Sequence, residues 1–93
     1  MEDMDQIKIE KMNEDDLRKT GVFSWPIWEK EPSTFDWHYE ETEQCYILEG
    51  RARVEAKGGQ AAEFGPGDFV TFPQGMDCVW QITKGVRKHY NFL

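Results

Sequence analysis

The sequence predicts an all-β domain, closed into a barrel or sandwich, with a short N-terminal strand and one helical turn. The first observation is a series of about seven to nine short segments with the apolar and polar alternation of half-buried strands. The second is that glycine- and proline-rich turns separate these segments. The third is the length, since 93 residues allow one domain with a small core. Closure is favoured because an open sheet would leave an aromatic face in water.

The N-terminal part is expected to form one strand and one short helix. Residues 1–5 are polar and are expected to fray. The alternation over residues 7–12 predicts a strand. Asn13 then precedes three acidic residues, which is typical of a helix N-cap and first turn. Gly21 is expected to end this helix after about Thr20.

The rest of the chain is expected to form strands joined by tight turns. Strands are predicted at residues 35–39, 43–48, 51–57, 69–72, 78–83 and 86–92, from alternation or from β-branched and aromatic content. The strand at 43–48 is expected to end at Gly50. The domain division is therefore 1–23 for the N-terminal strand and helical turn, which pack on the barrel, and 24–93 for the barrel itself.

Charge and composition argue against several kinds of partner. Eighteen acidic against eleven basic residues give a net charge of −7, whereas nucleic-acid binding needs a basic surface and anionic membranes attract basic segments. No apolar run approaches the ~20 residues of a membrane span, and the start MEDMDQIKIE lacks the apolar region of a signal peptide. Two cysteines are too few for a disulfide framework. We expect a cytoplasmic protein without a nucleic-acid or membrane partner.

Four residues of metal-ligand type form the first candidate site. Asp36 and His38 lie two positions apart, so on a strand they point to the same face. Glu43 falls on the next strand or in the loop before it, and Cys78 comes from a distant strand. Thiolate, imidazole and carboxylate together suit Zn²⁺ or Fe²⁺. The alternative is that these polar groups line a cavity or form hydrogen bonds without a metal.

Two segments resemble the motifs of the cupin family. Residues 67–78 are similar to its second motif, a glycine, five residues, Pro-x-Gly, two residues and a metal-binding histidine. Residues 36–50 resemble its first motif, in which two histidines one residue apart precede a glutamate, six intervening residues and a glycine. The pattern of residues 24–93 resembles small single-domain cupins of unknown function (RmlC-like cupins), grouped with the cupin domain of (S)-ureidoglycine aminohydrolase. The resemblance implies a double-stranded β-helix, the jelly-roll barrel.

The resemblance also implies where a pocket lies. The two histidines of the first motif fall on Asp36 and His38, its glutamate on Glu43, and the histidine of the second motif on Cys78. His38, Glu43 and Cys78 are then the candidate ligands of a divalent transition metal (Zn, Fe, Mn or Ni). Trp80 follows Cys78 at strand spacing and is expected to line the same pocket.

The first motif would also orient the strand that carries it. It places its ligands inward, so Phe35, Trp37 and Tyr39 would point outward as an aromatic stripe. Such a stripe needs cover, which the strand at 7–12 or a second subunit would supply. We therefore expect a homodimer.

Two further sets of residues are open to two interpretations. Cys45 and Cys78 are expected to approach each other, either as buried inert thiols or as a disulfide. Arg87, His89 and Asn91 either face the pocket, where they would bind an anionic group, or face solvent.

Two functions follow from these observations. The first is a cupin that binds a small polar molecule, with or without a divalent metal, in a pocket lined by Asp36, His38, Glu43, Cys78 and Trp80. The second is a metal-dependent enzyme that acts on a small nitrogen-containing metabolite, similar to ureidoglycine aminohydrolase. There the metal would polarise the substrate or activate water, and Glu43 or Asp36 would move a proton.

Overall fold

The fold is built on one antiparallel sheet, seen in a computed structural model that describes residues 6–93. Its strands are β1 (Lys8–Glu10), β2 (Ile27–Lys30), β3 (Ser33–His38), β4 (Glu43–Ala56), β5 (Ala61–Phe64), β6 (Phe69–Phe72) and β7 (Asp77–Phe92). Helix α1 spans Glu14–Thr20, and a 3₁₀ turn follows at Val22–Ser24. The strand order is β1-β6-β4-β7-β2, with β3 also paired to β7 and β5 to β4. The all-β prediction is confirmed, whereas the fraying expected at residues 1–5 lies outside the described residues.

Helix α1 has the ends that the sequence predicts. The Asn13 side chain accepts a hydrogen bond of 2.8 Å from the backbone N–H of Asp16, the usual N-cap contact. Gly21 follows the helix with φ of +79°, a conformation that glycine adopts readily. Leu17 is the buried residue of the helix and packs with Val22 and Phe69 in a small apolar cluster. The helix is thereby fixed against the outer side of β6.

The N-terminal strand belongs to the same sheet as the barrel. β1 pairs antiparallel with β6, so that Lys8 lies opposite Thr71 and Glu10 opposite Phe69. It is shorter than the predicted strand over residues 7–12. Within residues 6–93, no helix has the length and apolarity needed to cross a membrane.

β4 and β7 are long strands that bend together, which corrects the prediction of four shorter strands. They pair from Glu43 opposite Phe92 to Ala56 opposite Cys78, with shifts of register between Ile47 and Ala52. Gly50 has φ of +98°, and a Cβ atom on it would lie 2.2 Å from the carbonyl oxygen of Gly85. Glycine thus allows close approach of two backbones at an irregular point of the ladder. The strand continues through Gly50 and does not end there.

Candidate functional site

An aromatic cavity of about 220 Å³ lies between β2, β3 and the paired strands β4 and β7. Its wall consists of seven rings and two charged side chains: Trp28, Phe35, Trp37, Tyr39, Trp80, Tyr90, Phe92, Glu43 and Lys88. Trp37 and Phe92 are 48% and 44% exposed, so they mark the opening. Trp80 and Tyr39 are almost fully buried and form the inner wall. A cavity of this kind, mostly apolar with a few polar groups, is typical of a ligand site.

The two charged residues of the cavity form a buried ion pair. Lys88 Nζ donates a hydrogen bond of 2.8 Å to Glu43 Oε2, and each side chain is 5% exposed. The same ammonium lies 4.8 Å from the ring centroid of Trp28 and 4.7 Å from that of Trp80. Buried charges require such partners, and the faces of the rings add a cation–π attraction. Lys88 therefore supplies the positive charge inside the barrel.

The sheet register brings these two residues together from distant parts of the chain. Glu43 begins β4, and Cys45 and Ile47 follow it on the same buried face. Ile47 lies directly opposite Lys88 of β7. Because side chains alternate along a strand, Glu43 and Lys88 project into the same space, and the hydrogen bond between them spans the offset along the ladder.

Tyr39 contributes a third polar group to the cavity. Its hydroxyl accepts a hydrogen bond of 3.2 Å from Trp80 Nε1, and its ring stacks on Phe72 with centroids 5.0 Å apart. Burial raises the pKa of this hydroxyl well above its ordinary value, and the nearby Glu43 carboxylate raises it further. The hydroxyl therefore remains protonated, and its own hydrogen is free to be donated to a bound molecule.

Strand β3 faces the opposite way from the prediction. Phe35 stacks on Trp80 with centroids 6.0 Å apart and planes 9° apart, while Asp36 and His38 are exposed. Burying rings on this face gains more free energy than burying a carboxylate and an imidazole, which lose hydration. The aromatic residues of β3 therefore line the cavity, and the expected outward stripe was wrong. The homodimer was expected because an outward aromatic stripe would need cover. It stays a prediction, and the observed orientation of β3 gives it no support.

The residues expected to bind a metal are not gathered in one place. His38 Nδ1 lies 2.7 Å from Asp77 Oδ1 at the surface, and Cys78 Sγ contacts the carbonyl oxygen of Trp37 at 3.6 Å. Glu43 is already bound to an ammonium group. Among residues 6–93 no group of three or more His, Cys, Asp or Glu side chains has a metal-binding arrangement. The side chains present therefore do not fit the metal that the cupin resemblance implies.

This arrangement predicts a low metal content. We expect the freshly purified protein to hold less than ~0.1 equivalent of any transition metal, because a stable site needs three or four converging ligands. Mass spectrometry of the metals measures this directly. A content near one equivalent that falls in both His38→Ala and Cys78→Ser would contradict the arrangement.

The remaining candidates do not line the cavity. Cys45 and Cys78 are free and buried, and burial raises the pKa of their thiols to about 12 and about 11. Arg87 pairs with carboxylates on the outer side of the sheet. His89 is buried there too, with Nδ1 2.9 Å from the carbonyl oxygen of Trp25. Arg87 and His89 therefore do not line the cavity.

Sequence reasoning missed Lys88, the partner of Glu43 in the ion pair. The signal that would have found it is the alternation of Val86, Lys88 and Tyr90, where one lysine stands on an otherwise apolar strand face. Trp28 was missed because β2 was not predicted. Its signal was weaker, since a strand of four residues carries little periodicity.

Comparison with known proteins supports the fold. Residues 17–90 match the family model of the EutQ-like cupin domain. A DUF861 family protein from Thermotoga maritima is 48% identical, with 95% of this chain and 100% of that one covered and a TM-score of 0.93. The EutQ protein of Clostridium difficile is 21% identical, with 71% of this chain and 52% of that one covered and a TM-score of 0.65.

A putative ethanolamine utilization protein Q from Salmonella typhimurium is similar to the same extent. It is 23% identical, with 71% of this chain and 53% of that one covered and a TM-score of 0.64. No curated protein matches the chain. These likenesses confirm the predicted cupin fold, and the grouping with ureidoglycine aminohydrolase stays a prediction.

Proposed function

The chain belongs to the EutQ-like cupin family (DUF861), and from that premise we propose that its barrel pocket binds a small, uncharged organic molecule. Such a molecule would have an apolar body and one polar group, such as a ketone or an amide, that accepts a hydrogen bond from Lys88, and an amide would also donate one to Glu43. The observation that supports this is the buried Glu43–Lys88 pair in the wall of an aromatic cavity. The function proposed is recognition of a small molecule.

The size of the cavity limits the ligand. Its volume of about 220 Å³ is below the roughly 300–1,000 Å³ of sites for drug-sized molecules. Rings on most of the wall favour a flat or apolar body, because stacking and edge contacts add to the burial of apolar surface. A molecule the size of a substituted benzene fits these limits.

The charges of the cavity favour a neutral ligand. Glu43 and Lys88 compensate each other, so an anion would meet the carboxylate and a cation would meet the ammonium without a free counter-charge. A neutral group such as an amide satisfies both, since it accepts a hydrogen bond from Lys88 and donates one to Glu43. The Tyr39 hydroxyl offers one more donor.

Three probes that share one ring test this preference. We expect benzamide to bind with a Kd of about 1 mM or tighter, and about tenfold more tightly than benzoate or benzylammonium. Isothermal titration calorimetry measures all three. Lys84→Met, at an exposed lysine of the same strand, should leave the ranking unchanged. The double variant Glu43→Leu/Lys88→Met should lose it. Preference for either charged probe, or an unchanged ranking in the double variant, would rule out the proposal.

The metal-dependent enzyme has less support. Its reaction on a nitrogen-containing metabolite, like the likeness to ureidoglycine aminohydrolase, requires a metal held by His38, Glu43 and Cys78. His38 is exposed and Glu43 already binds the Lys88 ammonium. No observation therefore favours that function over recognition of a small molecule. The cytoplasmic location expected from the sequence also stays a prediction.

A further inference from the structure

We propose that the same pocket catalyses proton transfer at the carbon next to a carbonyl group, in a small ketone or aldehyde, with Glu43 as the base. The inference rests on the proposed function, since the carbonyl compound must occupy the cavity. It goes further because it assigns an activity to the polar groups. The observation behind it is that a carboxylate, an ammonium and a phenol line one largely apolar cavity.

The step balances without a cofactor. The Glu43 carboxylate takes a proton from the carbon next to the carbonyl, and the electron pair of that C–H bond forms a carbon–carbon double bond. The π electrons of the carbonyl move to its oxygen, which becomes an enolate. In deuterium oxide, solvent entering through the opening at Trp37 and Phe92 replaces the proton on Glu43 by a deuteron. Transfer of that deuteron from Glu43 to the same carbon restores the ketone with one hydrogen exchanged. In the ketone no bond other than C–H is broken, and nothing is oxidised or reduced.

The three polar groups have the hydrogen-bonding capacity that this step needs. The bond from Lys88 engages Oε2 of Glu43, so Oε1 is the oxygen left to take a proton. An ammonium group has three donors, and Lys88 uses one of them on Glu43. Tyr39 accepts a hydrogen bond from Trp80, so its own hydroxyl hydrogen can be donated. Lys88 and Tyr39 are therefore both equipped to stabilise the negative oxygen of the enolate.

The surroundings strengthen these interactions. The side chains of Glu43 and Lys88 are each 5% exposed, and rings of Trp28, Trp80 and Phe72 surround the ammonium at 4.8, 4.7 and 5.9 Å from their centroids. Fixed donors in a largely apolar site stabilise a developing charge more than they would in bulk solvent.

Exchange of hydrogen for deuterium tests the activity. The probe is 2-indanone, a flat ketone with acidic hydrogens next to its carbonyl, dissolved in deuterium oxide with the protein. Proton NMR measures the loss of those hydrogens. We expect the wild type to exchange them about 10²-fold faster than Glu43→Gln, the effect typical of a positioned base. Glu49→Gln, at an exposed carboxylate of the same strand, should match the wild type.

A conservative variant keeps the test decisive if Glu43→Gln does not fold. Glu43→Asp retains the charge that Lys88 needs and withdraws the carboxylate by one methylene. It should bind 2-indanone and exchange it about tenfold more slowly than the wild type. Circular dichroism confirms that each variant is folded.

Binding measured on the same samples separates this inference from the proposed function. Saturation-transfer NMR reports whether 2-indanone and benzamide occupy the protein. If either probe binds and exchange in the wild type equals that in folded Glu43→Asp, the catalytic inference is overturned and the binding function stands. If neither probe binds, both are overturned. Binding together with exchange that depends on Glu43 supports both.

Discussion

Replacing Glu43 by leucine will lower the free energy of unfolding by about 3–5 kcal/mol, because it leaves a buried ammonium without its counter-charge. Lys88 is 5% exposed and has its short contact of 2.8 Å with this carboxylate. For 93 residues the total stability is of the order of 5–14 kcal/mol, so the loss is a large part of it. Urea unfolding followed by tryptophan fluorescence measures the change.

Two further variants show that the effect comes from an unpaired charge. Adding Lys88→Met to Glu43→Leu should recover most of the stability, since exchanging both charges for apolar groups is often neutral or stabilising. Glu63→Leu breaks a pair with Arg53 at 3.5 Å whose side chains are about half exposed, and should change stability by about 1 kcal/mol or less. The interpretation fails if Glu43→Leu is no more destabilising than Glu63→Leu.

Gly50→Ala will prevent folding or lower the free energy of unfolding by more than about 4 kcal/mol. The new Cβ would lie 2.2 Å from the carbonyl oxygen of Gly85 and 2.7 Å from Cα of Val86, both of which are backbone atoms of β7. To relieve this clash, β4 and β7 would have to separate where they bend. The yield of soluble protein and urea unfolding measure the effect.

Gly59→Ala is the matched control for Gly50→Ala. Gly59 also has positive φ, +113°, but no heavy atom lies within 4 Å of the Cβ that would be added. This variant should lose only the roughly 1–2 kcal/mol of a left-handed conformation in a residue with a side chain. If the two variants are equally destabilised, backbone strain explains both results and the close approach of β4 and β7 has no separate effect.

The local elements of the fold could be predicted because their signals are local. Asn13 and Gly21 sit at the two ends of α1, where the sequence places them. The strand through Gly50 could not be predicted in the same way. A glycine after an apolar segment also marks many strand ends, and only its meeting with Gly85 across the sheet makes it a bend.

The site could be predicted less completely than the fold. Glu43 and Trp80 line the cavity, but alternation alone is symmetric and does not say which face of β3 is buried. The first cupin motif pointed Asp36 and His38 inward. In the structure the inward-facing side chain of this strand segment is that of Phe35, which stacks on Trp80. Carrying over a ligand pattern was therefore misleading both at Asp36, where the ligand type had changed, and at His38, where the histidine is retained but exposed.

The ion pair could not be predicted because the sheet register creates it. Glu43 and Lys88 are 45 residues apart, and no short motif links them. Once β4 and β7 are aligned over their length, a lysine on an apolar face has few possible partners. Long-range pairing of this kind follows from packing, which sequence periodicity does not specify.

The claim that a small neutral molecule binds beside the Glu43–Lys88 pair has a direct test in the tryptophan indole N–H signals. Three tryptophans line the cavity: Trp28, Trp37 and Trp80. Trp25 instead packs against the small apolar cluster beneath helix α1, where its ring centroid lies 6.2 Å from that of Phe69. We expect titration with benzamide to shift the three cavity signals in nitrogen–proton correlation spectra and to leave that of Trp25 in place. Shifts confined to Trp25, or no shift at several millimolar benzamide, would contradict the claim.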